Sequence, residues 1–342
     1  MRVIGVILLV IVAVIAAVPW IVGGESKTLD DDARRGAPGD FVRLEDGYTF
    51  YSLEGPAPAE VVVFVHGLNS PSYIWGDLVQ MLRDNGYRTL VYDLYGRGWS
   101  DRPWTDYDLD LFDRQLGGLL RSLGLGGKVH LVGLSMGGII SSEFTLRHPD
   151  AVASLTMVDP GGFRIAVPGG SHLLTMPIVG DWLIQVIGER VLMAGQAAVV
   201  HDKSLVPGLL ERFRPQLEFA GYKRAFLSTL RHVPLSDFTA RYRELAASPV
   251  PIEIFWGRQD EVAPASGADV AATLIPKATI QLIDDAGHLS HYEKPKEVGQ
   301  ALLRFLADVH APKQTGNAPK QAPSHIGNAP ARGSDSGGSE TD

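Results

Sequence analysis

Val129-His130-Leu131-Val132-Gly133-Leu134-Ser135-Met136-Gly137-Gly138-Ile139-Ile140 decides how this 342-residue chain is read. Its opening residues read as a short buried strand, and its closing residues start a helical stretch of small and apolar side chains. Between the two stands Gly-x-Ser-x-Gly. A serine at a sharp strand-to-helix reversal needs a strained backbone, and side chains on its flanking positions would collide with the turn, so glycines flank it. Such a turn projects the Ser135 hydroxyl into a cleft. The motif by itself also occurs on ordinary helix turns, so the reading rests on partners elsewhere in the chain.

A serine hydroxyl is a weak nucleophile near neutral pH and needs a base, a group that orients the base, and donors for the oxyanion. His288, in Asp284-Asp285-Ala286-Gly287-His288, is the best base because it follows the strand-like Thr279–Ile283 and a loop that Gly287 frees. His291, three residues on, is its rival. The carboxylate reads as Asp260, behind the apolar run Ile252–Trp256 and the turn Gly257-Arg258-Gln259, with Glu261 and Asp159 as alternatives. Val61–Val65 running into His66-Gly67-Leu68-Asn69 reads as a buried strand ending in a glycine loop. There the backbone N–H groups of Leu68 and Met136 are the expected oxyanion donors. His66 suits a loop-organising hydrogen bond better than a catalytic role.

In order, His66-Gly67, Asp93-Leu94-Tyr95-Gly96-Arg97-Gly98-Trp99-Ser100-Asp101, the serine turn, Trp256-Gly257-Arg258-Gln259-Asp260 and Gly287-His288 resemble the α/β-hydrolase family over roughly residues 40–309. The resemblance implies an α/β fold: a mostly parallel, doubly wound sheet with an inserted helical cap, and a triad in the order Ser135, Asp260, His288. It also implies that Asp93 and Arg97 are structural, shaping the floor near the oxyanion loop. Epoxide hydrolases and haloalkane dehalogenases of that fold carry an aspartate at the nucleophile position, so Ser135 argues against both. Acyl transfer to water remains, together with C–C hydrolysis of ring-fission dienone acids.

The rest of the chain is organised to match. Phe41–Glu45 and Tyr48–Ser52 around Asp46-Gly47 predict an antiparallel hairpin at the start of the sheet. Parallel strands are expected at 61–65, 89–93, 129–133, 155–159, 252–256 and 279–283, alternating with helical patterns, so the catalytic loops fall at the strands' carboxyl ends. The interval of about ninety residues between Asp159 and Ile252 breaks that alternation, with helical periodicity and prolines but no convincing long strand. Residues 161–247 are therefore read as the cap, between core segments 40–160 and 248–310. Ten apolar residues from Leu173 to Ile187 crowd its first part, which fits either a helix buried on the core or a lipid-facing entrance. His172, His201 and His232 lack metal-ligand spacing and read as surface or packing residues.

Val3–Val22 is an uncharged, almost wholly apolar run of twenty residues, which as a helix spans about 30 Å, the hydrocarbon thickness of a bilayer. A cleaved signal has a shorter apolar region of about 7 to 15 residues and a small-x-small site. Ala16-Ala17-Val18-Pro19-Trp20 offers no clean site of that kind. Residues 1–24 are accordingly read as an uncleaved anchor with the catalytic domain exported, secretion after cleavage being the alternative; residues 25–39 follow as a linker. Residues 311–342 repeat Gly-Asn-Ala-Pro and lack the apolar side chains to offset ordering entropy, so they read as a disordered tail. No cysteine is present, which excludes a disulfide framework and a thiolate nucleophile, and a net charge of −8 gives no support for nucleic-acid binding.

These readings combine into a membrane-anchored serine hydrolase cleaving carboxylic esters, similar to the monoacylglycerol lipases, through an acyl-enzyme on Ser135 and with no cofactor or metal. One alternative is a C–C bond hydrolase whose cap cations, Arg212, Arg214, Lys223, Arg224 and Arg231, would receive a dienone acid. The other is a non-catalytic receptor on a hydrolase shell.

Overall fold

β3 (Val61–Val65) shows why the chain layers as it does. All five side chains are buried; Val61, Val63 and Val65 belong to one apolar cluster, and Val62 and Phe64 to the other. A strand covered on both faces needs no polar side, which is why its sequence is an unbroken apolar run. The computed structural model describes residues 22–164 and 171–310, together with Ile4, Leu9, Ala13, Ala17 and Val18. The other strands are β1 (Asp40–Arg43), β2 (Tyr48–Glu54), β4 (Arg88–Tyr92), β5 (Val129–Leu134), β6 (Val152–Val158), β7 (Ile252–Gly257) and β8 (Thr279–Ile283). They form one sheet in the order β1-β2-β4-β3-β5-β6-β7-β8, in which only β2 runs antiparallel to its neighbours. The expected hairpin is present and closes where Leu44 N–H donates to Gly47 O at 2.9 Å.

Helices cover both faces of this sheet. Leu109–Ser122, Met136–Arg147 and Gly267–Leu274 supply side chains to the first cluster, and Gly76–Asp84 and Pro295–His310 supply the second. This is the doubly wound α/β arrangement that the resemblance implied. Its consequence for function is geometric, since parallel strands deliver the loops after β3, β5, β6, β7 and β8 to one end of the sheet.

Between β6 and β7 the described residues form the helices Ser171–Thr175, Val179–Ala198, Val206–Phe213, Tyr222–His232 and Thr239–Leu245. They have an apolar cluster of their own, which includes Ile184, Leu192, Phe213 and Tyr222, and Leu68 packs against it from the loop after β3. The insertion is thereby seated on the loop expected to bind the oxyanion.

Residues 25–39, expected as a linker, have fixed partners. The Glu25 carboxylate accepts from the N–H groups of Gly221 (3.1 Å) and Lys223 (2.7 Å), and Lys27 pairs with Phe219 through a parallel bridge. Arg34 completes the attachment by pairing with Asp101 at 2.6 Å. Charged side chains scattered along a segment carry no periodicity, so sequence reading had no signal for this docking. Among the described residues no helix is long and apolar enough to cross a membrane; the expected anchor, Val3–Val22, lies almost wholly outside them, and so does the tail 311–342.

Candidate active site

Ser135 is the one residue between β5 and the helix Met136–Arg147, and it sits at φ 52°, ψ −114°, a left-handed strained conformation. The flanking glycines make this turn possible. A Cβ on Gly133 would lie 2.3 Å from Gly137 O, and one on Gly137 would lie 2.0 Å from Val65 O. A hydrogen bond from Ser135 N–H to Val158 O holds the turn against β6, and one from Gly138 N–H to Ser135 O closes the turn itself, both at 2.9 Å.

Two loops from distant parts of the chain meet this serine. His288 Nε2 lies 2.8 Å from Ser135 Oγ, and His288 Nδ1 lies 2.7 Å from Asp260 Oδ2. The other oxygen of Asp260 accepts from Val262 and Ala263 N–H, at 2.8 Å each, which fixes the plane of the carboxylate. Burial disfavours the charged imidazole of His288, but the charge and hydrogen bond of Asp260, and then the charge of Asp159, outweigh it and hold the ring above its ordinary value. The arrangement can take a proton from the hydroxyl and keep the resulting imidazolium paired.

The alternatives for each position are placed elsewhere. His291 is buried beside Trp75, with ring centroids 4.5 Å apart, and burial pushes it down to about 3. Glu261 is exposed. Asp159 stands just after β6 at φ 45°, fully buried, and its two oxygens accept from Gly257 N–H at 2.7 Å and Ser290 N–H at 2.8 Å. Burial and then the charge of Asp260 push its carboxyl up to about 7. Asp159 thus ties the end of β7, which leads to Asp260, to the loop that carries His288. Its partners are 98 and 131 residues away, so the sequence offered it only as a rival acid.

The glycine loop after β3 lies against Ser135: a Cβ on Gly67 would stand 3.5 Å from Ser135 Cβ. Met136 is the first residue of its helix, so its N–H has no acceptor within the helix. His66 Nδ1 donates to Gly67 O at 2.8 Å while Nε2 accepts from Leu94 N–H at 2.9 Å, and burial pushes this ring down to about 3. A neutral, doubly bonded imidazole is a brace for the loop. Arg97, also fully buried, donates from Nε to Leu68 O at 3.1 Å and from Nη2 to Thr229 Oγ1 at 2.8 Å, linking that loop to the inserted helices. Asp93 accepts from Ser72 and Trp99 N–H at 2.8 Å each. These contacts fit the structural role expected of Asp93 and Arg97.

Residues 62–301, more than two-thirds of the chain, match the alpha/beta hydrolase family. The chain belongs to that family. Among its relatives is the monoacylglycerol lipase ABHD6 of Bos taurus, 26% identical over 285 residues that cover 79% of this chain and 82% of that protein. A thermophilic esterase from Thermogutta terrifontis shares the fold of this hydrolase with a TM-score of 0.67 at 24% identity, over 80% of this chain and all of the esterase. A membrane phospholipase A does so with a TM-score of 0.65 at 23% identity, over 91% of this chain and all of its own.

Proposed function

We propose that this hydrolase cleaves carboxylic esters of lipid type, monoacylglycerols among them, through an acyl-enzyme on Ser135. The observation that carries the reading is the unbroken line Asp260–His288–Ser135, with hydrogen bonds of 2.7 and 2.8 Å. His288 takes the Ser135 proton as the serine oxygen attacks the ester carbonyl, and Asp260 stabilises the imidazolium. The N–H groups of Leu68 and Met136 receive the oxyanion. His288 then protonates the departing alcohol, and a water molecule, deprotonated by the same ring, releases the acid. The name borne by the Bos taurus relative supports a monoacylglycerol substrate. Residues 161–247 act as the cap that shapes the substrate pocket, and residues 3–22 anchor the enzyme with its catalytic domain exported.

The C–C hydrolase reading needs cap cations free to receive a dienone acid. Here Lys223 is bonded to Gly23 O, Arg224 to Pro103 O and Arg102 O, and Arg231 to Asp181, while Arg212 lies over the Tyr73 ring and the exposed Arg214 faces Glu189 at 3.6 Å. Lys223, Arg224 and Arg231 are committed to structural partners, which favours the ester.

Hydrolysis of a p-nitrophenyl ester series and a monoacylglycerol series by the full chain tests the proposal, with Ser135→Ala beside it. Ester turnover is expected to fall by about 10⁴-fold or more in the variant without loss of the fold. Near-wild-type turnover by Ser135→Ala overturns the assignment.

A further inference from the structure

Exposed apolar side chains are unevenly spread over this molecule. From Gly23 onward eight large apolar residues among the described ones are exposed, and six of them, Leu173, Met176, Ile178, Val179, Ile187 and Val191, fall within 19 residues of the helical insertion. Soluble monomers seldom gather such residues into one patch without a partner for it. The helix Val179–Ala198 builds the patch by dividing its faces: Val179, Ile187 and Val191 are exposed, whereas Ile184, Gly188, Leu192 and Gln196 are buried. Its buried side belongs to the cluster that receives Leu68, and Gln196 Nε2 donates to Ser70 Oγ at 2.8 Å. One helix therefore separates the exposed patch from the glycine loop beside Ser135.

The most exposed member of the patch is held out by design of its surroundings. Ile178 is 83% exposed at φ 67°, a left-handed conformation that a β-branched residue adopts only under constraint. Ile178 N–H donates to Asp181 Oδ2 at 2.9 Å, and Arg231 binds the Asp181 carboxylate at 3.0 and 3.1 Å, Thr175 O at 3.1 Å and Met176 O at 3.2 Å. Trp104, 89% exposed, carries the Arg224 guanidinium 4.0 Å from its ring and lines a surface cavity together with Asp181 and Arg231. An indole and guanidinium groups bordering an apolar patch are the chemistry of a membrane–water boundary.

The N-terminus points to the same occupant. The apolar run Val3–Val22 leads directly into Gly23, whose carbonyl accepts from Lys223 Nζ; the same ammonium donates to Gln185 O at 3.4 Å, within the patch-bearing helix. Glu25 and Lys27 then fasten the chain to residues 218–223. A segment long enough to cross a bilayer thus joins the domain beside its exposed apolar face.

We infer that the outer face of Ser171–Thr175 and Val179–Ala198 docks on a phospholipid bilayer, oriented by the strap Gly23–Lys27, so that lipid esters enter toward Ser135 from the membrane. The entry clause rests on the proposed ester hydrolysis; the docking does not.

The chain has no cysteine, so Ile178→Cys, Ile187→Cys and, as control, Asp150→Cys each carry a single environment-sensitive fluorophore on the full-length protein. Asp150 is exposed at the amino end of β6, the end opposite the candidate site. In phosphatidylcholine–phosphatidylglycerol vesicles, labels at 178 and 187 are expected to shift to the blue and be quenched by nitroxide-bearing lipid, while the label at 150 does neither. Labels at 178 and 187 that behave like the control overturn the docking. So does a blue shift that appears without vesicles and grows with protein concentration, which would assign the face to a second copy of the chain. Ile178→Asp combined with Ile187→Asp is expected to slow hydrolysis of a vesicle-embedded monoacylglycerol about tenfold and leave p-nitrophenyl butyrate unaffected. Equal slowing of both substrates, or of neither, overturns entry from the membrane. Lipid-quenched labels on a chain that hydrolyses no ester would uphold the docking and refute the ester reading.

Discussion

Asp260→Asn separates the proposed chemistry from mere proximity. One oxygen of Asp260 accepts from Val262 and Ala263 N–H, and the other faces His288 Nδ1. An asparagine side chain has one acceptor end and one donor end. Its oxygen stays with the two backbone N–H groups, because the reverse orientation sets its NH₂ against both of them and forfeits two hydrogen bonds of about 1 kcal/mol each. The NH₂ then points at His288 Nδ1, which must accept rather than donate. The imidazole proton is driven to Nε2, the atom 2.8 Å from Ser135 Oγ that has to act as base. A misplaced tautomer of this kind lowers kcat by about 10⁴-fold, or about 5.5 kcal/mol of barrier. Side-chain size is unchanged, so the thermal midpoint should barely move. The assay is steady-state p-nitrophenyl ester hydrolysis with a melting curve on the same sample. A loss below about tenfold in a folded variant would refute the tautomer reasoning, and if Asp159→Asn proves the more damaging substitution, Asp159 is the orienting acid.

The remaining expectations follow from the same geometry. Because His288 is held above its ordinary 6.5, kcat/KM for a soluble ester should rise with pH along a limb whose midpoint lies above that value, as the ring loses the proton that stops it acting as base; a midpoint below 6.5 in a pH–rate profile would contradict the pairing. Gly137→Ala places a Cβ 2.0 Å from Val65 O, and backbone rather than a flexible side chain must yield. The expected outcome is a destabilisation of about 1–3 kcal/mol, read by denaturant melting, with loss of kcat as the loop after β3 is displaced. Unchanged stability would mean that the turn is looser than its distances imply.

Much of this arrangement is legible in the sequence, for local reasons. Gly133-Leu134-Ser135-Met136-Gly137 prescribes a strained turn because only glycine tolerates the approach of Val65 O and Gly137 O. The unbroken apolar run of β3, and the largely apolar β5 and β7 interrupted only by His130 and Glu253, mark strands covered on both faces, and the break in alternation after Asp159 marks the helical insertion. Strand ends are less legible: β6 starts at Val152, three residues before the expected Leu155, since apolar periodicity marks a buried run more sharply than its first residue.

Chemistry-bearing residue types and their order along the chain are properties of the sequence, and they sufficed to name Ser135, Asp260 and His288 together. Which partner each side chain takes was decided by tertiary structure. Parallel pairing of β5, β6, β7 and β8 set Asp260 and His288 in line with Ser135, turned His291 against Trp75, and gave Asp159 two backbone N–H groups to hold instead of an imidazole. The same holds for the insertion, whose apolar residues look alike in one dimension. Only packing buries Ile184 and Leu192 and leaves Ile178 and Ile187 exposed, because burial depends on what lies opposite a side chain in space, and residues far apart in sequence supply that.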